Sequence, residues 1–256
     1  GEGYRRKILE KVNIPERISV VMNGVDLERF RPQPADRELR RQWNGDGRFV
    51  CAYVGTIGMA HGLDVVVRAA EILRDQGRDD VMFWLVGEGA RKSELESEVR
   101  HRGLERWIVF TGRLPKEDMP RILSSVDACL VHLRKTELFE TVIPSKIFEM
   151  MAMGKPIIIG VRGEALRIVE EAEAGVAMEP ESAESLLACI EKIRSGNCFS
   201  GDYSGRVREY LRQNYSRDAL AERMLGMILS VTEGKSDTPG THEHHTRTGL
   251  APEPVP

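Results

Sequence analysis

Pro144-Ser145-Lys146-Ile147-Phe148-Glu149-Met150-Met151-Ala152-Met153-Gly154-Lys155-Pro156-Ile157-Ile158-Ile159 reads as a helix followed at once by a buried strand. Proline suits a first helical turn, where its missing N–H was unpaired anyway. Ile147, Met150 and Met151 recur at the spacing of a buried helical face. Gly154 ends the helix, because a left-handed terminal residue costs glycine nothing. The run Ile157-Ile158-Ile159 is that of a strand covered on both sides. Ile143, at the expected cap position, offers no side-chain oxygen to the first amides, and Lys146 stands one turn in. Free amides, the positive end of a helix dipole and a lysine together suit an anion. A water-capped helix start with a solvated lysine is the plain alternative. Glu149, one turn further on, shifts the balance, since a carboxylate beside a phosphate-attracting helix end suits ribose hydroxyls. The set reads as a nucleotide clamp.

Working outward, a regular alternation of elements begins near residue 48. Strands are expected at 48–54, 81–86, 107–111, 127–132, 156–160 and 175–178. Helical patterns fall at about 61–75, 90–102, 116–125, 145–153 and 164–172. In the first of these, Leu63, Val66, Val67, Ala70 and Leu73 form one buried stripe. Such alternation implies right-handed crossovers and a parallel sheet. The fold class expected is therefore α/β, a Rossmann-like parallel sheet of about six strands with helices on both faces. A basic helix over Tyr4–Val12 and a strand at 18–22 precede the alternation. Helices at about 182–194, 202–213 and 216–232 follow it. Residues 234–256 lose all periodicity and read as a disordered tail, in which His242, His244 and His245 are better taken as solvated than as metal ligands.

In such a sheet, ligands sit beyond the carboxyl ends of the strands. Four loops there are informative. They are Gly55-Thr56-Ile57-Gly58-Met59-Ala60-His61-Gly62, Gly87-Glu88-Gly89, Gly112-Arg113-Leu114-Pro115 and the segment 133–144. Glycine in these loops admits positive φ and close approach of backbone to a ligand. Gly55, Gly58 and Gly62 do not have the dinucleotide spacing, no acidic residue closes the second strand, and no Gly-Lys-Ser/Thr occurs. These departures disfavour an NAD enzyme and a nucleoside triphosphatase.

Composition narrows the classes further. The 256 residues carry a net charge of −3 from intermixed signs, so nothing suggests a nucleic-acid partner. No run approaches the roughly eighteen apolar residues of a membrane span, and no secretory signal opens the sequence. Cys51, Cys129, Cys189 and Cys198 lack metal spacing, and a reduced, cytoplasmic protein with small buried thiols is expected.

Several segments together resemble the family 4 glycosyltransferases. They are Asn23-Gly24-Val25-Asp26 with Phe30-Arg31-Pro32, the first loop with Gly62-Leu63-Asp64, Leu85-Val86-Gly87-Glu88-Gly89, Phe110-Thr111-Gly112, Val126-Asp127-Ala128, and the helix with Glu149 and Gly154-Lys155-Pro156. Within that family the Pro144-Ser145-Lys146 motif most resembles the bacterial subset that builds lipid-linked surface polysaccharides. The resemblance runs over about residues 1–232. It implies a GT-B enzyme, with two Rossmann-like halves facing a cleft, and retaining transfer from a nucleotide sugar (here a UDP-sugar) without metal or other cofactor.

By this resemblance the chain matches the donor half. Residues 1–34 would be an interdomain linker, 35–200 the nucleotide-sugar-binding domain, and 201–233 helices that pack across the acceptor domain. That domain would be missing from this chain or supplied in trans, and through it the protein could associate peripherally with the inner face of the cell membrane. The resemblance gives catalytic roles to Lys146 and His61. It gives donor binding to Gly55, Thr56, Gly58, Gly87, Gly112, Arg113, Leu114, Thr141, Ser145, Lys146 and Glu149. Thr141 stands where many relatives carry a first glutamate, and Thr56 and His61 stand where an arginine and a lysine are usual. An unperturbed histidine, with a pKa of ~6.5, would be partly charged at neutral pH. An imidazole that only caps a loop carbonyl is an equal reading of His61. The rivals are a non-catalytic nucleotide-sugar- or partner-binding module, the donor subunit of a split transferase, and a sugar-nucleotide epimerase, which the Pro144-Ser145-Lys146 helix argues against.

Overall fold

The computed structural model describes residues 1–199 and 201–233. The expected tail at 234–256, with its three histidines, lies outside the described residues. Six parallel strands form one sheet: β1 (Phe49–Val54), β2 (Val81–Val86), β3 (Ile108–Gly112), β4 (Ala128–His132), β5 (Ile157–Gly160) and β6 (Gly175–Ala177), in the order β3-β2-β1-β4-β5-β6. The helices are α1 (Glu2–Leu9), α2 (Arg37–Gln42), α3 (Asp64–Asp75), α4 (Lys92–His101), α5 (Met119–Ser124), α6 (Lys146–Ala152), α7 (Glu164–Glu171), α8 (Ala183–Arg194), α9 (Tyr203–Asn214) and α10 (Arg217–Glu233). The α/β Rossmann-like sheet read from the sequence is the one observed.

Two cores, one on each face, follow from the two-residue alternation along the strands. Val50, Ala52, Met82, Trp84, Cys129, Val131, Ile157 and Ile159 face α5, α6, α7 and α9. Cys51, Tyr53, Phe83, Leu85, Ala128, Leu130 and Ile158 face α3, α4 and α8. Every residue of β2, β4 and β5 is buried, as expected of strands covered on both sides. The strand order reverses between β1 and β4, so their carboxyl ends open the crevice where open α/β sheets take ligands.

Asp127, just before β4, closes the opposite end of the sheet. Its Oδ2 accepts from the Val50 amide at 2.7 Å and from Arg40 of α2 at 3.1 and 3.2 Å. Helix α6 ends at Gly154, φ +64°, with Lys155 N–H bonded to the Met150 carbonyl and Gly154 N–H to that of Met151. Both last-turn carbonyls are thereby satisfied, and the chain turns directly into β5.

Two expectations fail. The segment 18–22 is not a strand. Ile18, Val20 and Met22 are half-buried between exposed Ser19, Val21 and Asn23, but no strand of the described residues lies beside them. The nearest pairing is an isolated bridge between Val25 and Ser216. Alternating burial needs only one apolar face, whereas a strand needs a hydrogen-bonded neighbour. The cap of α6 is Ser145, not Ile143, and its side chain makes no capping hydrogen bond.

Candidate functional site

The first loop leaves β1 through Gly55 at φ +139° and closes at Gly62, φ +55°, after a turn of 3-10 helix over Met59–His61. Its path is fixed at several points. Gly55 N–H donates to Val86 O, Ile57 N–H to Glu88 O, and the Tyr53 hydroxyl to Thr56 O at 2.7 Å. Gly87 lies so close that a Cβ there would collide with the Gly55 carbonyl. Gly87 also bridges Gly112, φ +73°. Three loops from adjacent strands therefore meet at glycines. Between them lies a hollow of about 200 Å³, lined by Gly55, Thr56, Gly87, Glu88, Arg113, Leu114 and Met119, with Val54 and Val86 at its base. Among the described residues, the amides of Thr56 and Gly58 find no protein acceptor, nor do those of Ser145 and Lys146.

Lys146 is the first residue of α6, which packs on the face of the sheet opposite to that of Tyr53. Its side chain reaches over the carboxyl end of the sheet and sets Nζ 3.5 Å from the centroid of the Tyr53 ring. The same atom lies 3.5 Å from where a Cβ on Gly55 would stand. The ammonium is buried and without a hydrogen-bond partner among the described residues. Burial lowers its pKa to about 7, since charge is disfavoured away from water. A cation over an aromatic face recovers about 0.5–2 kcal/mol, less than an unpaired buried charge costs. The plain reading of Lys146 as a solvated side chain is thus excluded.

His61 sits beside this group, its ring centroid 5.7 Å from that of Tyr53. Its Nδ1 is buried and makes no hydrogen bond with the described residues. Burial first, then the neighbouring Lys146 charge, lower its pKa to about 4. His61 is therefore neutral at pH 7, which corrects the expectation of a partly charged imidazole sharing phosphate charge. The Gly58 backbone beside the ring opposes this shift.

Glu149 lies half-buried on α6, and burial raises its pKa against the opposing fields of Arg29, Arg217 and Lys116. Ser145 is exposed. Thr141 stands apart. It is buried in the 3-10 turn Phe139–Thr141, donates its hydroxyl to Leu138 O at 2.9 Å, and packs beneath Gly3 of α1. It borders a different and larger cleft, about 680 Å³, lined by charged residues of α1 and α7. The structure thus gathers Gly55, Thr56, Gly58, His61, Gly87, Gly112, Arg113, Leu114 and Lys146 around the ends of β1, β2 and β3, and leaves Thr141 outside that hollow. Tyr53, which faces Lys146 and holds Thr56, was not among the expected site residues. A lone hydroxyl in the apolar strand Phe49–Val54 was the signal for it.

Residues 48–195 match the family model described as Glycosyl transferases group 1. The chain belongs to the group 1 glycosyltransferases. It is 32% identical over 211 residues to the colanic acid biosynthesis glycosyl transferase WcaI of Escherichia coli K12, covering 78% of this chain and 50% of that protein. It is also 32% identical over 143 residues to the 2-deoxystreptamine glucosyltransferase of Streptomyces kanamyceticus, covering 55% of this chain and 35% of that one. The fold resembles that of Anabaena HepE, solved in complex with UDP-glucose, with a TM-score of 0.75 at 20% identity over 88% of this chain and 61% of that one. The chain spans about half the length, or less, of these curated relatives. As a group 1 glycosyltransferase with GT-B structural neighbours, it matches the family resemblance read from its motifs. No described helix is long and apolar enough to cross a membrane.

Proposed function

We propose that residues 35–200 form the donor-binding domain of a retaining glycosyltransferase and take a UDP-sugar without a divalent metal. The observation that carries this reading is the Lys146 ammonium, buried and unpaired beside Gly55. A charge left in this condition is stabilised by an incoming anion. The unpaired amides of Thr56, Gly58, Ser145 and Lys146 offer further donors to the same diphosphate. The base would lie against Gly112, Arg113 and Leu114, and Glu149 would accept from the ribose hydroxyls. As the glycosidic bond to phosphate breaks, negative charge grows on the departing diphosphate. Lys146 and the loop amides are placed before the reaction to stabilise that charge, which is where fixed donors act most strongly. His61, neutral, would serve as a hydrogen-bonding group there and not as a cation.

The similarity to WcaI, which acts in colanic acid biosynthesis, supports surface polysaccharide synthesis as the setting; a lipid-linked acceptor goes with the Pro144-Ser145-Lys146 motif. The acceptor hydroxyl would come from a second half, in the same chain or in trans. Met224, Leu225, Ile228, Leu229 and Val231 expose about half of their surface on α10, which supports the proposal that residues 201–233 pack across that half. Transfer needs the hydroxyl within about 3–3.5 Å of the anomeric carbon, so this chain alone is expected to bind donor and hydrolyse it slowly at most. Calorimetric titration of UDP with a chelator present tests the reading. Saturable binding is expected, and an absolute requirement for magnesium would overturn it.

A further inference from the structure

The carboxyl end of β4 carries a histidine that the donor site as described does not use. His132 is fully buried. Its Nε2 accepts from the Glu181 amide at 2.8 Å, so the ring proton sits on Nδ1 and is donated to the His61 carbonyl at 2.7 Å. The ring occupies a slot walled by two glycines. A Cβ on Gly62 would lie 3.1 Å from its Cε1, and one on Gly160 would lie 2.5 Å from its Cδ2. Burial lowers its pKa, in keeping with an imidazole whose Nε2 accepts while Nδ1 donates.

The groups around it tie the same two loops together. Arg134 donates Nε to Met59 O and Nη2 to Asp64 Oδ1, and its Nη1 to Glu181 Oε1, each at 2.9 Å. Its backbone amide donates to Ala60 O. Glu181, held at a left-handed φ of +66°, gives its carbonyl to Arg68 and a second carboxylate oxygen to the Lys135 amide. Three consecutive carbonyls of the first loop, those of Met59, Ala60 and His61, are thus bonded from the segment leaving β4. Arg134 secures the first two from the outside, and among the described residues His132 alone reaches the third from within the core.

The geometry points to His132 as a positioning residue: through the His61 carbonyl it fixes the first loop, and with it the Gly58 amide and the His61 ring, against the diphosphate. This rests on the donor-site reading above. His132 touches no donor atom in that reading, so its effect falls on the phosphate end and spares the base and ribose, which bind to Gly112, Leu114 and Glu149.

The test compares UDP and uridine binding by wild-type protein and by His132→Ala, His132→Asn and His132→Gln, with cooperative thermal unfolding as the check on folding. An asparagine amide can replace the donation to the His61 carbonyl. Glutamine reaches instead toward the Glu181 amide. His132→Ala and His132→Gln are expected to lose UDP affinity about 5- to 10-fold and to keep uridine affinity within about 2-fold, as a single lost hydrogen bond to a loop carbonyl is worth about that factor. His132→Asn is expected to stay within about 3-fold of wild type for UDP. Hydrogen exchange over residues 58–62 is expected to speed up in the alanine variant and to be slower again in the asparagine variant. Unchanged UDP binding by His132→Ala, equal losses of both ligands, or no rescue by asparagine would overturn the positioning role while the donor site stands. A wild-type protein that binds no UDP would overturn the donor-site reading itself, and this inference with it.

Discussion

The Lys146 ammonium rests 3.5 Å from the centroid of the Tyr53 ring, reached from the opposite face of the sheet and with no hydrogen-bond acceptor. Two features of the chain place it there. Helix α6 begins one residue after Ser145, so Lys146 is its first residue and lies at the carboxyl end of the sheet. Gly55, which follows β1 at φ +139°, lies directly beside Nζ. Holding an unpaired cation in this way costs stability, and an anion bound beside it would offset that cost.

Replacing Lys146 by methionine is therefore expected to stabilise the ligand-free protein by on the order of 1 kcal/mol or more at pH 6.5, seen as a higher denaturation midpoint. The pH dependence has a definite sign. The folded pKa, about 7, lies below the unfolded value of 10.5. The unfolded chain binds more protons between these values, so the Lys146 contribution to stability rises with pH from about 7 towards 10.5. Urea unfolding at pH 6.5 and 9 should show this component in wild type and lose it in Lys146→Met. An equal slope in both proteins would place the buried charge elsewhere.

Binding of a diphosphate should draw a proton onto Lys146. An anion beside Nζ raises its pKa, so UDP affinity is expected to fall as pH rises above about 7 and to level off above the raised value in the complex. Calorimetry in buffers of different ionisation enthalpy, at pH 8, reads the proton uptake directly. Uridine, which has no phosphate, should show none.

Glu149→Gln separates a binding role from a structural one. Burial raises the folded pKa of this carboxyl, so its ionisation at neutral pH works against the fold. Stability linked to this group is present below its unfolded pKa and lost as pH rises through the folded value. The glutamine variant should then match or slightly exceed wild type in thermal stability at pH 7. It should also bind UDP more weakly by roughly 1.5–3 kcal/mol, the range for charged hydrogen-bond partners. A large loss of stability would make Glu149 structural.

Gly87→Ala should damage the hollow from its floor. The added methyl meets the Gly55 carbonyl at a φ of +145° that side chains rarely adopt, at a cost of about 1–3 kcal/mol for the strained backbone. Since Gly55 also borders Lys146, UDP binding should weaken along with stability. A variant of wild-type stability and affinity would show that these loops move apart freely.

Sequence alone settled the α/β alternation and the two-sided burial of the sheet, because both depend on periodicity. Ile157-Ile158-Ile159 and the stripe from Leu63 to Leu73 can bury themselves in few other ways. It also marked the glycine-bearing loops and Lys146, whose residue types are chemically specific. Pairing, protonation and reach were decided by tertiary structure. The alternation at 18–22 gave no notice that no strand lies beside it, since a hydrogen-bonded neighbour is a property of distant chain. His61 carries the usual imidazole, and only burial beside Lys146 makes it neutral at pH 7. Thr141 and Glu149 are eight positions apart in a regular motif, yet the turn at Phe139–Thr141 puts the first under α1 and away from the hollow. The contacts of Tyr53 with Lys146 and of His132 with the His61 carbonyl exist only in the folded chain. Contacts between residues so far apart in sequence are made by the fold, whereas periodicity reports only which face of an element is buried.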